Sequence, residues 1–297
     1  MDDMNTNNEI AKTEGRSIAK SARTFTVDGL EKALLRKFPK EYAEDWDVTG
    51  LTVGERGLPV KKVAVALDAT VKAIRAASKL GADVLVTHHP PFLQGPMDFS
   101  PEDSVALSPG AGVWAAITGK VALMDFHTAL DVSKEAQAAL PGLLGLEYTG
   151  KLLETVDGCD DKGYGQICSI SPSDGSEITL GRLAARCMSV FGRTSKVWGD
   201  FDSKVRSCAT VLGSAGNVAH TALEQGIDCI VCGELRYHDA LELSEAGLGI
   251  IELGHDVSEM PLVAVLAGAL ADVGVQPEDI VMIDQADNWA VPEAIRL

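Results

Sequence analysis

Between residues 61 and 87 the chain reads KKVAVALD, then ATVKAIRAASKL, then DVLVT, and this alternation restricts the fold more than any other stretch. The two apolar runs are too short for helices and too uniformly apolar to leave one face in water, so they predict strands buried on both faces. The segment between them has apolar residues at helical spacing and predicts a crossover helix. Strand, helix and strand in that order predict parallel pairing, and KVALMDF at 120–126 supplies a further strand.

The pattern resumes later in the chain. GQICSI, RSCATVL, DCIVC, GIIEL and DIVMI read as strands, TLGRLAARCMSVF and NVAHTALEQG as helices, and one long helix is predicted from Val257 to Ala271. Ahead of the first unit, Thr26 is placed to cap a helix carrying Val27, Leu30, Leu34 and Phe38 on one face, with Pro39 as its stop. The Gly- and Asp-rich TVDGCDDKGYG predicts a loop and a lobe boundary. At 297 residues the chain exceeds what one core usually serves. The expectation is an α/β protein of two lobes, 25–150 and 151–297, with mostly parallel sheets flanked by helices and a disordered tail over 1–24.

Charge and cysteine usage narrow the function. A net charge of −17 without clustered Lys and Arg argues against a nucleic-acid partner. The polar opening holds no apolar stretch of signal-peptide length, later apolar runs are broken by charges before membrane-spanning length, and six cysteines set mostly in apolar runs read as reduced thiols, so a cytoplasmic protein is expected. Cys229 and Cys232 have CxxC spacing, but inside a strand they face opposite ways, which argues against redox chemistry.

Four of the six histidines follow directly on predicted strands. In an open parallel sheet ligands bind beyond the carboxyl ends of the strands, so side chains leaving separate strand ends converge on one crevice. His88 and His89 leave DVLVT at a Pro-Pro pair that ends the strand and turns the backbone, which suits two neighbouring ions better than one. A surface turn with two exposed histidines is the other reading. LMDFHTALDV brings His127 and Asp131, and GIIELGHDVSEMPL brings His255 and Glu259, each an imidazole and a carboxylate one helical turn apart. A helix cap built on Asp256 or Ser258 competes with the ligand reading of the second pair. Imidazole nitrogens mixed with carboxylate oxygens suit zinc, iron, manganese or nickel and disfavour calcium. Two such ions about 3.5–4 Å apart would activate a bridging water, the logic of many hydrolases.

At these residues the sequence resembles the Nif-three-like dinuclear metal centre hexameric family, also known as the GTP cyclohydrolase type-two homologues. The likeness runs through EDWDVTGLTVG, VALDAT, THHPPF, HTALD, GYGQI, GELRYHDALE and GHDVSE, all in the family's order. It implies that His88, His89, Asp131, His255 and Glu259 hold two divalent metal cations, with Glu259 bridging. It also implies two similar α/β lobes with the metal cleft between them, assembled as a toroidal homohexamer. The family's usual Asp-Asn in the first motif is Asp47-Val48 here, so any role of that Asn has no counterpart.

Around this set, His127 is expected to serve as a proton shuttle or a support to a ligand. His238 is expected to act in catalysis, and Glu234 and Arg236 to border the crevice, Arg236 meeting a substrate anion unless it pairs within its own loop. Gly213-Ser214-Ala215-Gly216 is either a tight turn or a phosphate cradle. The leading reading is a metal-dependent hydrolase acting on a small phosphorylated or nucleotide-like molecule, with the cyclohydrolase type as one form of it. A non-catalytic metal-binding or protein-interaction adaptor is the rival. Nicotinamide binding is disfavoured by the missing Gly-rich fingerprint.

Overall fold

β1 (Phe25–Thr26) leads into α1 (Val27–Leu35), which starts where the sequence predicts it, with the Thr26 hydroxyl accepting from Gly29 N at 3.1 Å. The computed structural model describes residues 24–101, 109–170, 177–286 and 288–289. The tail expected over 1–24 lies, Thr24 apart, outside the described residues. β2 (Gly50–Val53), β3 (Pro59–Val60), β4 (Val63–Ala66), α2 (Val71–Lys79), β5 (Val84–Thr87), α3 (Pro109–Gly119) and β6 (Ala122–Asp125) follow. Then come α4 (Thr128–Asp131), α5 (Lys134–Leu144), β7 (Glu147–Val156), β8 (Cys159–Ser169), α6 (Leu180–Phe191), β9 (Lys196–Trp198), β10 (Ser207–Ser214) and α7 (Val218–Glu224). β11 (Cys229–Glu234), α8 (Tyr237–Glu245), β12 (Gly249–Glu252), α9 (His255–Glu259), α10 (Pro261–Val273) and β13 (Ile280–Met282) complete the chain.

The strands form two main sheets of mixed direction. One has the order β13-β4-β5-β6-β2, parallel except at β2; the other has the order β7-β8-β10-β11-β12-β9, parallel only over β10, β11 and β12. The two sheets repeat one plan. In each, an antiparallel edge strand (β2 or β9) precedes three parallel strands in the chain and pairs with the last of them. Each sheet is covered on both faces. Leu30, Leu34, Leu262, Leu266 and Leu270 of α1 and α10 pack on one side of the first sheet, and Ile74 and Ala116 of α2 and α3 on the other. Cys229 faces the core under α6 and Cys232 the core under α7 and α8, the opposite orientations expected of strand neighbours three apart.

Three sequence expectations change. The division at 150/151 falls inside β7, and it fails at the C-terminus, where α10 packs in the first sheet's core and β13 pairs with β4. The Gly- and Asp-rich stretch is not a loop but a long hairpin, in which Val156 pairs with Cys159 across Asp157-Gly158 and Gly158 has φ +77°. Asp-Gly between strands is the signature of a two-residue turn whose twist matches the sheet. The long helix over 257–271 is two helices, because Pro261 has no amide to continue α9 and instead opens α10.

Candidate metal centre

The carboxyl ends of β5, β6 and β12 lie near one another, and their histidines converge there. His88 and His89 have ring centroids 4.7 Å apart, His127 stands 5.1 Å from His88, and His255 stands 5.5 Å from His89. Glu259 reaches across from α9: its Oε1 lies 3.6 Å from His88 Nε2, and its Oε2 lies 3.0 Å from His89 Nε2 and 3.2 Å from His255 Nε2. Asp131 Oδ1 is 3.6 Å from His88 Nε2. The structure thus brings together all five residues implied as ligands, and His127 with them.

Each imidazole is anchored through Nδ1, leaving Nε2 to face the cluster. His88 Nδ1 meets Phe126 O at 3.2 Å, His89 Nδ1 meets Asp68 at 2.8 Å, His127 Nδ1 meets Asp47 at 2.9 Å, and His255 Nδ1 meets Glu234 at 3.0 Å. Carbonyl or carboxylate partners behind the rings are the usual arrangement for metal-binding histidines, since they fix tautomer and orientation. His88 Nε2 and Asp131 Oδ1 are buried and lack hydrogen-bond partners among the described residues, and Glu259 Oε2, also buried, has only the His89 and His255 imidazoles within reach. Buried polar atoms left in that state are costly unless something absent from the protein itself satisfies them. Two overlapping trios, His88 with His89 and His127, and His89 with His255 and Glu259, keep their ligand atoms within 4.8 Å of one another. Orphaned donors of this type fit divalent cations.

The electrostatics agree. Burial disfavours a charge on His88, yet Asp131 and Glu259 outweigh it and raise its pKa. Burial likewise opposes charge on His89, but Asp68 and Glu259 lift it to about 10. The Glu259 hydrogen bond lifts His255 to about 9. Burial works against ionisation of Glu259, and His255, His88 and His89 nevertheless hold it well below the carboxylate range. The raised values of His89 and His255 place protons on those two imidazoles at neutral pH without metal, and cation binding must displace them.

Two glycines make the room. Gly213, with φ +58°, sits where β10 bulges between Val211 and Ser214, and a Cβ there would overlap Glu259 Oε1. A Cβ on Gly233 would meet Ser258 Oγ at 2.7 Å and overlap the Gly213 carbonyl. Gly213 N donates to Ser258 Oγ at 2.9 Å, seating α9 against β10. Gly213 and Ser214 thus end β10 in a bulge that accommodates Glu259, and the turn follows at Gly216.

The cluster opens on a cleft of about 580 Å³, whose walls include Trp46, His127, Asp131, Tyr164, His255 and Glu259. None of its lining residues is Lys or Arg. Of the outlying expectations, Glu234 orients His255 instead of bordering the cleft. Arg236 is 83% exposed and pairs with Asp239 at 2.9 Å, and His238 is exposed on α8; neither lines the cleft. The reason is local: the chain turns away from the strand ends at Leu235, which is buried while its successors face water. Sequence reasoning missed Asp47 and Asp68. Asp68 was within reach of the strand-end rule, since it ends KKVAVALD, and Asp47 sits in the first family motif.

A two-sheet α/β fold with a histidine–carboxylate cluster at its strand ends defines a class of metal-site proteins. The chain matches the family Duf34/NIF3 (NGG1p interacting factor 3) over residues 25–288 and belongs to it. Similar proteins named "GTP cyclohydrolase 1 type 2 homolog" include one from Clostridium acetobutylicum, 28% identical over 257 residues covering 84% of this chain and 93% of that one. Another, from Streptomyces coelicolor, is 30% identical over 249 residues covering 81% and 84%. The crystal structure of a Bacillus cereus protein related to NIF3 superposes with a TM-score of 0.77 at 19% identity, covering 90% of this chain and 99% of that one, a likeness of fold.

Proposed function

We propose that the chain is a metal-dependent hydrolase that binds two divalent cations between its sheets and acts on a small nucleotide-like molecule. The observation that carries this reading is the set of buried ligand atoms on His88, Asp131 and Glu259, the first two unpartnered among the described residues, faced by imidazoles whose other nitrogens are already engaged. Bound there, zinc, iron, manganese or nickel would supply Lewis acidity and an activated water at neutral pH. Asp131 and Glu259 would neutralise the ions, with Glu259 presenting one oxygen to each side. His127 lines the cleft with Nδ1 fixed by Asp47, so its Nε2 is the group placed to move a proton at the substrate. Because no Lys or Arg lines the cleft, a substrate phosphate would find its positive partners only in the cations.

The chain is further proposed to act in the cytoplasm as a homohexamer, as the family resemblance implies; no described helix is long and apolar enough to cross a membrane. The adaptor reading keeps one support, the protein partner recorded in the family's description.

The test is elemental analysis of purified wild type against Glu259→Ala, followed by a hydrolase screen on the loaded protein. About two ions per chain, with substantial loss in the variant, are expected. A wild type that takes up no zinc, iron, manganese or nickel would remove the site and leave the adaptor reading in front.

A further inference from the structure

We infer that the described residues after β13, 283–286 with 288 and 289, form a positioning strap, in which Gln285 and Trp289 fix His89 and His255 relative to one another and so hold one of two cation positions. The inference rests on the two-cation reading above.

Gln285 is 4% exposed and spends its whole amide on one dipeptide. Its Oε1 accepts from Leu67 N and Asp68 N, both at 2.9 Å, and its Nε2 donates to Asp68 O at 3.1 Å. Asp68 in turn meets His89 Nδ1 at 2.8 Å, and His89 N donates to Leu67 O at 2.9 Å. These backbone groups lie just beyond the end of β4, where the ladder with β5 no longer satisfies them. Gln285 therefore does for Leu67 and Asp68 what a neighbouring strand would do.

Trp289 performs the matching task on the other sheet. Its Nε1 donates to Asp256 Oδ2 at 2.8 Å, and its ring lies beside Gly254, where a Cβ would come within 3.7 Å of Cζ2. Gly254 and Asp256 flank His255. The Arg193 guanidinium stands 4.8 Å over the indole and donates to Trp289 O at 3.3 Å and to Ala286 O, tying the strap to the end of α6. The strap thus begins on the first sheet through β13 and ends on the second sheet's flank.

His89 and His255 belong, with Glu259, to the one trio whose imidazoles come from different sheets; His88, His89 and His127 all leave the first. Bond lengths to a cation tolerate only about 0.2 Å of error, so a trio divided between two bodies depends on what holds the bodies in register. The strap reaches His89 through Asp68 and grips Gly254 and Asp256 on either side of His255. His89 is common to both trios, but only the cross-sheet one also depends on His255 and on the register of the two sheets, so removing the strap should weaken that position more than the other.

The experiment compares Gln285→Ala, Gln285→Met and Trp289→Ala with wild type in two measurements. In metal-free protein, amide hydrogen exchange should accelerate at Leu67 and Asp68 in Gln285→Ala and at Ser258 and Met260 in Trp289→Ala. After loading with zinc and washing with a chelator, both alanine variants should fall from about two ions per chain to about one, the lost ion binding about 10–100-fold more weakly. Gln285→Met keeps the packing but makes neither acceptor bond, so it should lose the ion as Gln285→Ala does, which simple loss of packing would not predict. Unchanged exchange at both segments, full retention of both ions, or loss of both together overturns the inference. If wild type itself takes up no zinc, the two-cation reading fails, and the exchange data alone decide whether the strap holds the histidines.

Discussion

Replacing Gly213 with alanine separates the site's geometry from ordinary backbone strain, because Gly216 three residues later provides a matched control. Both are left-handed, with φ +58° and +48°, so either alanine costs roughly 1–2 kcal/mol through its Cβ. For a chain of this size that corresponds to a drop in Tm of about 2–8 °C in the metal-free protein. The surroundings differ. A Cβ at 216 meets nothing within 4 Å, whereas one at 213 overlaps Glu259 Oε1 and stands 3.3 Å from His255 Nε2. Restoring a normal contact requires the carboxylate to move by about 1 Å, several times what coordination tolerates. Saturating metal, at about 100 times its Kd, should raise stability by about 2.7 kcal/mol in wild type and Gly216→Ala, and by much less in Gly213→Ala. The assay is thermal melting of the three proteins with and without zinc. Equal stabilisation of the two variants by metal would show that Glu259 is not a ligand.

Asp68→Asn should weaken metal binding by about 10–100-fold while leaving the fold intact, measured by competition with a chelator; unchanged affinity would mean that Asp68 does not orient His89 as a ligand. The raised pKa values of His89, about 10, and His255, about 9, predict a pH dependence of the metal-free protein. Their folded values lie above the unfolded one of about 6.5, so their stabilisation is complete below that pH and is lost as pH rises through about 9 to 10. Added metal should accordingly raise Tm more at pH 9 than at pH 6.5, and a constant increment would refute this. Burial and the charge of Asp47 lift Asp125 to about 8, so wild type should lose up to about 1.4 kcal/mol per pH unit between about pH 4 and pH 8. Asp125→Asn should lack that slope in denaturant melts.

The parallel strands and the histidines were legible because both are local signals: apolar runs of strand length, and ligand types placed directly after them. The carboxylates behind the rings were less so. Asp47 meets a histidine 80 residues away, and nothing in EDWDVTGL announces that partner. Gln285 contacts Leu67 and Asp68 across more than 200 residues, a relation set only when β13 pairs with β4. Glu234 and Arg236 stand two residues apart, and their fates were decided by where β11 ends, a boundary that pattern reading places only to within a few residues. The hairpin at Asp157-Gly158 was readable in principle, since Asp-Gly between alternating segments specifies a tight turn; counting Gly and Asp as loop residues concealed it.

The return of the C-terminus to the first sheet makes a further prediction about residues 25–150. A division of the chain into sequential lobes would let that stretch fold alone. The structure forbids it, because α10 supplies Leu262, Leu266 and Leu270, each fully buried, to the core that also holds Phe38, Val63, Val65 and Phe126. Burying a leucine side chain contributes about 1.5–3 kcal/mol, so these three alone represent roughly 5–9 kcal/mol. That is comparable to the whole stability of a typical domain, about 5–15 kcal/mol. The same anchoring delivers the site: α9 runs directly into α10, so seating α10 on the first sheet carries Glu259 to His88 and His89. A fragment of residues 25–150 should therefore show no cooperative unfolding transition and no metal uptake. Joining residues 254–289 to it should restore the transition. A fragment that melts cooperatively by itself would refute the argument that the first sheet and its ligand cluster are completed from the chain's far end.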